Sequence, residues 1–318
     1  MTLSADETLD SLEALCHQES TGYQVHDYLC EAAREGSSFG PLHADTSSRS
    51  SMVQWCNNLV DFCKYDRETT AYAVSCLDRF LSTPDGFQLL FDSEQFQLAA
   101  MCALYTTAKI HERQALEPAS IAKLSRGLHT AEAVEAMERR MLKALQWRVN
   151  PPTAMRFVHL FLDLIPTHML DDASKQVMLE LVKYQVKLAL LDYQLSQHRS
   201  SNLALAAVLN AIDSQQHADL SFSLLVQSRI GGVLPMCTDA LLLDIRCALC
   251  RQIASQSTSE PMSAVLMSKL STATIFSSHP TTTIIKGGFG HHHEGFFFTS
   301  SSSPTTGSPR IVSYDMMI

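Results

Sequence analysis

The sequence predicts an all-α protein, and three observations carry that prediction. Apolar residues recur at steps of three and four in one segment after another, a spacing that paints a single face of a helix. Residues 93–113 are apolar on nearly all sides (Phe96, Leu98, Ala99, Ala100, Met101, Cys102, Ala103, Leu104), which suits only a helix surrounded by others. Asn150-Pro151-Pro152-Thr153 cannot continue a helix, so it divides the helical segments into two sets.

Residues 1–21 are mixed and acidic and read as an N-terminal extension. A short amphipathic helix at 25–34 follows, within a segment 22–36, and then a loop from 36 to 48. The first helical domain spans 37–149. Its first helix carries Met52, Val53, Trp55, Leu59, Phe62 and Cys63 on one face, and its second carries Ala71, Val74, Leu77 and Leu81. The second stops before the turn Thr83-Pro84-Asp85-Gly86. The all-apolar segment at 93–113 is the central helix, and its alanines let neighbours approach closely. A short helix at 118–124 and a long one at 131–146 complete the domain. The second domain, 150–255, holds helices at 154–165, 171–194, 202–212 and 235–255. From 256 to 318 Ser, Thr, Gly and Pro dominate, with three histidines at 291–293 and three phenylalanines at 296–298. Periodicity is lost there and a disordered tail is expected.

Composition narrows the function. Hydrophobic residues make up 46% of the 318, enough for a sizeable core. With 24 basic against 33 acidic residues the formal charge is −9, the wrong sign for a nucleic-acid binder. No run of 18 apolar residues occurs, so no membrane partner is expected. The acidic N-terminus lacks the apolar run of a signal peptide, and the nine cysteines read as reduced, mostly buried thiols. Cys247 and Cys250 form a Cys-x-x-Cys without a second pair, so no metal is assigned. No nucleophile elbow, Walker loop or Gly-x-Gly-x-x-Gly appears, and neither a catalytic residue nor a cofactor is expected.

Two charges lie close to apolar faces, Arg49 at the start of the first helix and Asp78 inside the second. A buried charge is costly unless paired, so the two are expected to pair with each other.

The stretch Leu77-Asp78-Arg79-Phe80-Leu81-Ser82, with Trp55 on the preceding helix, resembles the cyclin box. Five marker positions of that family can be assigned in order: Arg49, Asp78, Leu98, Lys109 and Glu138. The resemblance is close over about 40–150, weaker over 151–253 and absent from the tail. It implies two tandem five-helix cyclin-like domains, with a D-type flavour, and a helix ahead of the first box that packs on a kinase. It also implies the function of a regulatory subunit, present in nucleus and cytoplasm, that binds and activates a cyclin-dependent protein kinase in cell-cycle control. Lys109 and Glu138 would touch the kinase, Arg49 and Asp78 would form an internal ion pair, and Leu98 would be core. A transcription-linked cyclin and a cyclin-fold DNA-binding general transcription factor are the alternatives, the second disfavoured by the acidic balance. A cyclin that binds a kinase without activating it is a third.

Where the sequence departs from the family is the substrate-docking patch. Ser48 and Ser51 stand where apolar anchors are usual, while Met52, Trp55 and Gln97 remain, so docking of Arg-x-Leu substrates is expected to be weak. Leu15-Cys16-His17-Gln18-Glu19 is one place off the Leu-x-Cys-x-Glu peptide of some D-type cyclins and reads better as part of a helix. Ser-Pro pairs at Ser303 and Ser308 offer phosphorylation sites in the tail, by which a ubiquitin ligase would recognise it.

Overall fold

The chain divides into two compact units, Met1–Thr274 and Ile275–Ile318. A computed structural model describes residues 4–39, 41–165, 170–214 and 237–256, with Val226, Ser228, Ile230 and Leu234 as single positions. All of these belong to the first unit; the tail expected beyond 256 lies outside the described residues. Among the described residues there are helices and no strands.

Two helices precede the first box: α1 (Ala5–Gly22) and α2 (Tyr28–Phe39). The box itself is α3 (Thr46–Cys63), α4 (Glu68–Leu81), α6 (Ser93–His111), α7 (Pro118–Leu124) and α8 (Ala131–Ala144), with a one-turn α5 (Pro84–Phe87) and a 3-10 turn (Gln88–Phe91) between α4 and α6. The second half supplies α9 (Ala154–Asp163), α10 (Asp172–Leu191), α11 (Tyr193–Ser196), α12 (Ser200–Asp213) and α13 (Asp239–Gln256).

Local chemistry sets the helix starts. Asp45, Asp92, Thr130, Thr153 and Asp171 each accept a backbone N–H from the first turn of α3, α6, α8, α9 and α10 respectively. Thr153 does so immediately after Pro151-Pro152, so the break between the halves and the start of α9 are one feature. Where a turn was expected after α4, Thr83 caps α5 with Pro84 at its first position. Gly86 lies so close to the Phe80 carbonyl that a Cβ there would come within 2.0 Å of its oxygen, which admits only glycine.

The central helix α6 is buried from Leu98 through Ala108 and packs against α3, α4, α7 and α8. Leu98 lies in this core, as expected for its position. In the second half α12 plays the same part, buried from Ser201 through Ile212 and packed on α9, α10 and α13. Its core contains a polar network. Asn210 donates to Gln185 Oε1 at 3.0 Å and accepts from Arg246 Nε at 2.9 Å, and Arg246 also pairs with Asp213. Because the four partners come from three helices (Gln185 on α10, Asn210 and Asp213 on α12, Arg246 on α13), the network sets their register while leaving these groups hydrogen-bonded.

The N-terminal segment differs from expectation. Residues read as an acidic extension form α1, with a capping box in which Ser4 and Glu7 satisfy each other's backbone N–H groups. Leu12 and Leu15 enter the core of the second half against α9. Glu19 is buried and accepts from Ser201 N at 3.1 Å and Ser201 Oγ at 2.6 Å. It thereby caps α12, whose own N-cap residue Arg199 makes no side-chain cap bond. The five-residue match to a Leu-x-Cys-x-Glu peptide is therefore closed off, since Leu15 and Glu19 both face inward.

Burial raises the Glu19 carboxyl above its ordinary value, although the Ser201 bonds pull the other way. Folding then takes up a proton in the interval between the unfolded and folded pKa. Stability from this group rises as pH falls through the folded pKa, and levels off near the unfolded value of 4.5. Glu19→Gln is expected to flatten that slope, with its largest gain in Tm over the native protein near about pH 8 and little difference near about pH 4.5. Thermal melts of both proteins across that range check it.

Candidate functional site

Two polar constellations stand out, one buried and one at the surface. In the first, Arg49 is 1% exposed. Its Nε donates to Asp78 Oδ1 at 2.9 Å and its Nη2 to Oδ2 at 2.6 Å, a bidentate pair. The remaining arm, Nη1, donates to the Leu190 carbonyl oxygen at the end of α10, 2.9 Å away. Asp78 also accepts from the Tyr28 hydroxyl at 2.8 Å. The Tyr193 ring lies 5.6 Å from the Arg49 guanidinium and edge-on to Tyr28 at 5.2 Å. The Tyr193 hydroxyl in turn donates to Asp27 at 2.9 Å. Burial alone would lower the Arg49 guanidinium, but Asp78 and Tyr28 outweigh it and raise it, so the charge is secure. Burial and the Asp78 charge push Tyr28 well up, and it stays a neutral donor. This cluster joins α2, α3, α4, α10 and α11, and so locks the two halves together.

The role of α2 follows from it. The resemblance implied a helix packed on a kinase, whereas Tyr28, Leu29 and Ala32 lie in the chain's own core. That face is spent inside the chain, while Glu31, Ala33 and Arg34 on the same helix are exposed.

The surface constellation is built where α6 ends and α8 passes beside it. Lys109 Nζ lies 2.9 Å from Glu138 Oε1 and 3.0 Å from Oε2. It sits 4.9 Å from the Tyr105 ring, one turn earlier on α6. The Lys109 side chain is 43% exposed and that of Glu138 12%. Partial burial pulls the Lys109 ammonium down, but Glu138 and Tyr105 outweigh it, so it is raised and stays charged. Several large apolar side chains of this half of the chain are exposed. Ile110 follows Lys109, Leu124 ends α7, Leu128 lies in the next turn, and Trp147, beyond α8, is 73% exposed. Gln146 and Trp147 both hold left-handed backbone, φ 52° and 62°, which presents the indole to solvent.

At the weakened docking patch Ser48 is spent on the cap of α3, both its N and Oγ donating to Asp45. Ser51 is exposed, while Met52, Trp55 and Gln97 are partly buried, the first two against the core. Arg-x-Leu peptides are therefore expected to bind poorly. Each missing apolar anchor removes about 1.5–3 kcal/mol, roughly a ten- to hundredfold loss in affinity. A fluorescence titration giving low-micromolar binding would contradict this.

Two family models match: the one described as cyclin, N-terminal domain over residues 10–150, and the one described as cyclin, C-terminal domain over 152–228. The chain belongs to the cyclin family. Among similar proteins, G1/S-specific cyclin-E of Caenorhabditis briggsae is 29% identical over 170 residues, covering 52% of this cyclin and 32% of that relative. Human cyclin-G1 is 24% identical over 227 residues, covering 69% and 73%. The chain thus spans about a third of the cyclin-E relative it matches. The solved structure of a viral cyclin from herpesvirus saimiri shares the fold. It has a TM-score of 0.57 at 14% identity, over 78% of this cyclin and 96% of the viral one.

Four contributors were not singled out from sequence: Tyr28, Tyr193, Tyr105 and Trp147. Tyr105 stands four residues before Lys109 on one helix and is recoverable from spacing. Tyr28 and Tyr193 act through contacts 50 and more residues away, which no local pattern marks.

Proposed function

We propose that this cyclin binds and activates a cyclin-dependent protein kinase in cell-cycle control, and that Lys109 and Glu138 contact the kinase. The observation that carries the reading is the Lys109–Glu138 pair, held at the end of α6 with the exposed Ile110 next to Lys109 in the chain. Such a pair offers both donors and acceptors to a partner's backbone, and the apolar neighbour offers area to bury. Kinases position ATP only when the β3 lysine meets the C-helix glutamate. A rigid surface that binds the helix-in state better than the helix-out state shifts that equilibrium without any chemistry of its own. The relatives named as G1/S-specific support cell-cycle use. A nuclear and cytoplasmic location follows from this reading.

The test is reconstitution. Kinases recovered by affinity purification with the full chain are identified, purified and assayed for peptide phosphorylation with and without it. Stimulation of a cyclin-dependent kinase is expected. A kinase that binds with unchanged activity would reduce the role to binding, and recovery of none would remove it.

A further inference from the structure

Arg79 follows Asp78 on α4 and is 5% exposed. Its Nη2 donates to the Arg148 carbonyl oxygen, and the Tyr23 ring lies 4.6 Å from its guanidinium carbon. Its Nε and Nη1 are buried without a hydrogen-bond acceptor among the described residues. Unlike Arg49, it forms no ion pair with a carboxylate among them. Burial, helped by the Arg148 charge, holds this guanidinium below its ordinary value. Arg148 is exposed and likewise in no ion pair. Its Nη1 lies over the end of α1, where a Cβ on Gly22 would come within 2.8 Å of it. Two guanidinium groups thus lie beside Gly22 and Tyr23 with no counter-charge among the described residues, and one of them is buried with two donors unfilled by those residues. A buried charge in that condition is costly until an anion answers it.

We propose that Arg79 and Arg148 form a binding site for a phosphate-type oxyanion, at the junction of α1, α4 and the linker between the two halves. Guanidinium forks match tetrahedral oxyanions through paired N–H donors. Arg79 supplies Nε and Nη1 from inside and Arg148 closes over from outside. Tyr23, partly exposed, is the side chain that yields. A cavity of about 310 Å³, lined in part by Tyr23, Gln24, Ser75 and Pro151, gives its ring room to move. The bound oxyanion would tie the end of α1 to α4 and to the linker. The site stands whether or not the chain activates a kinase.

Thermal unfolding of the full chain in sodium phosphate and in sodium chloride at matched ionic strength tests it, with Trp147 fluorescence as a reporter next to Arg148. A saturable rise in Tm of a few degrees with phosphate is expected, lost by half or more in Arg148→Gln, an exposed position that leaves folding intact. Arg79→Lys keeps the charge but removes the fork, and is expected to lose the response as well. Phosphate also stabilises proteins by exclusion from their surface. A rise that survives in full in Arg148→Gln would overturn the proposal. A second arm compares a phosphoserine tripeptide with its unphosphorylated form. A response to inorganic phosphate assigns a free ion and a response to the phosphopeptide alone assigns a phosphorylated segment, both supporting the site. Response to neither overturns it.

Discussion

Arg49→Ala is expected to lower stability by about 3–5 kcal/mol, a drop in Tm on the order of ten degrees. The substitution leaves Asp78 buried with only the Tyr28 hydroxyl to answer its charge, and it frees the Leu190 carbonyl. Deleting both charges is a different experiment. Replacing Arg49 with Met and Asp78 with Leu removes the unpaired charge, so the double variant is expected to be more stable than either single one. Chemical denaturation of the four proteins forms a double-mutant cycle. A single variant with the native Tm would show that the pair contributes nothing.

Lys109→Ala combined with Glu138→Ala is expected to act on activity instead. Lys109 is 43% exposed and Glu138 is largely buried, and because the double replacement leaves neither charge unpaired, its cost in stability is expected to be on the order of 1 kcal/mol. If the pair meets a kinase at the centre of a contact, truncation of both is expected to reduce activation by roughly a hundredfold or more. Circular dichroism and a kinase assay on the same preparation separate the two effects. Full activation with native helicity would remove Lys109 and Glu138 from the interface.

Most helices were legible because the apolar stripes of α3 and α4 repeat over several turns and α6 is apolar on nearly all sides. Asn150-Pro151-Pro152-Thr153 likewise marked the break before α9. What escaped was α1. Leu12, Leu15 and the partly buried Cys16 face its apolar partner, and its other buried side chains, Thr8 and Glu19, are polar, so no long stripe appears in sequence. Its place is decided by the second half, whose α12 needs a cap that Glu19 provides. The extra turn at α5 escaped for a related reason, since Gly86 is required by the nearness of the Phe80 carbonyl and not by its neighbours in the chain. Of the site, Arg49, Asp78, Lys109 and Glu138 were legible as marker positions. The tyrosines that complete the buried cluster were not, because their partners lie on distant helices.

The Arg49 cluster also orders the events of synthesis. Asp78 leaves the ribosome soon after Arg49, but Leu190 follows Arg49 by 141 positions. At ordinary elongation rates that is a wait of about 7–30 s. During it the first box holds an ion pair whose third arm and aromatic cover have not yet been made. The nascent first half is thus expected to be a distinct, less protected species, open to chaperones until α10 and α11 arrive. A truncated chain ending at the Pro151-Pro152 break would persist in that condition.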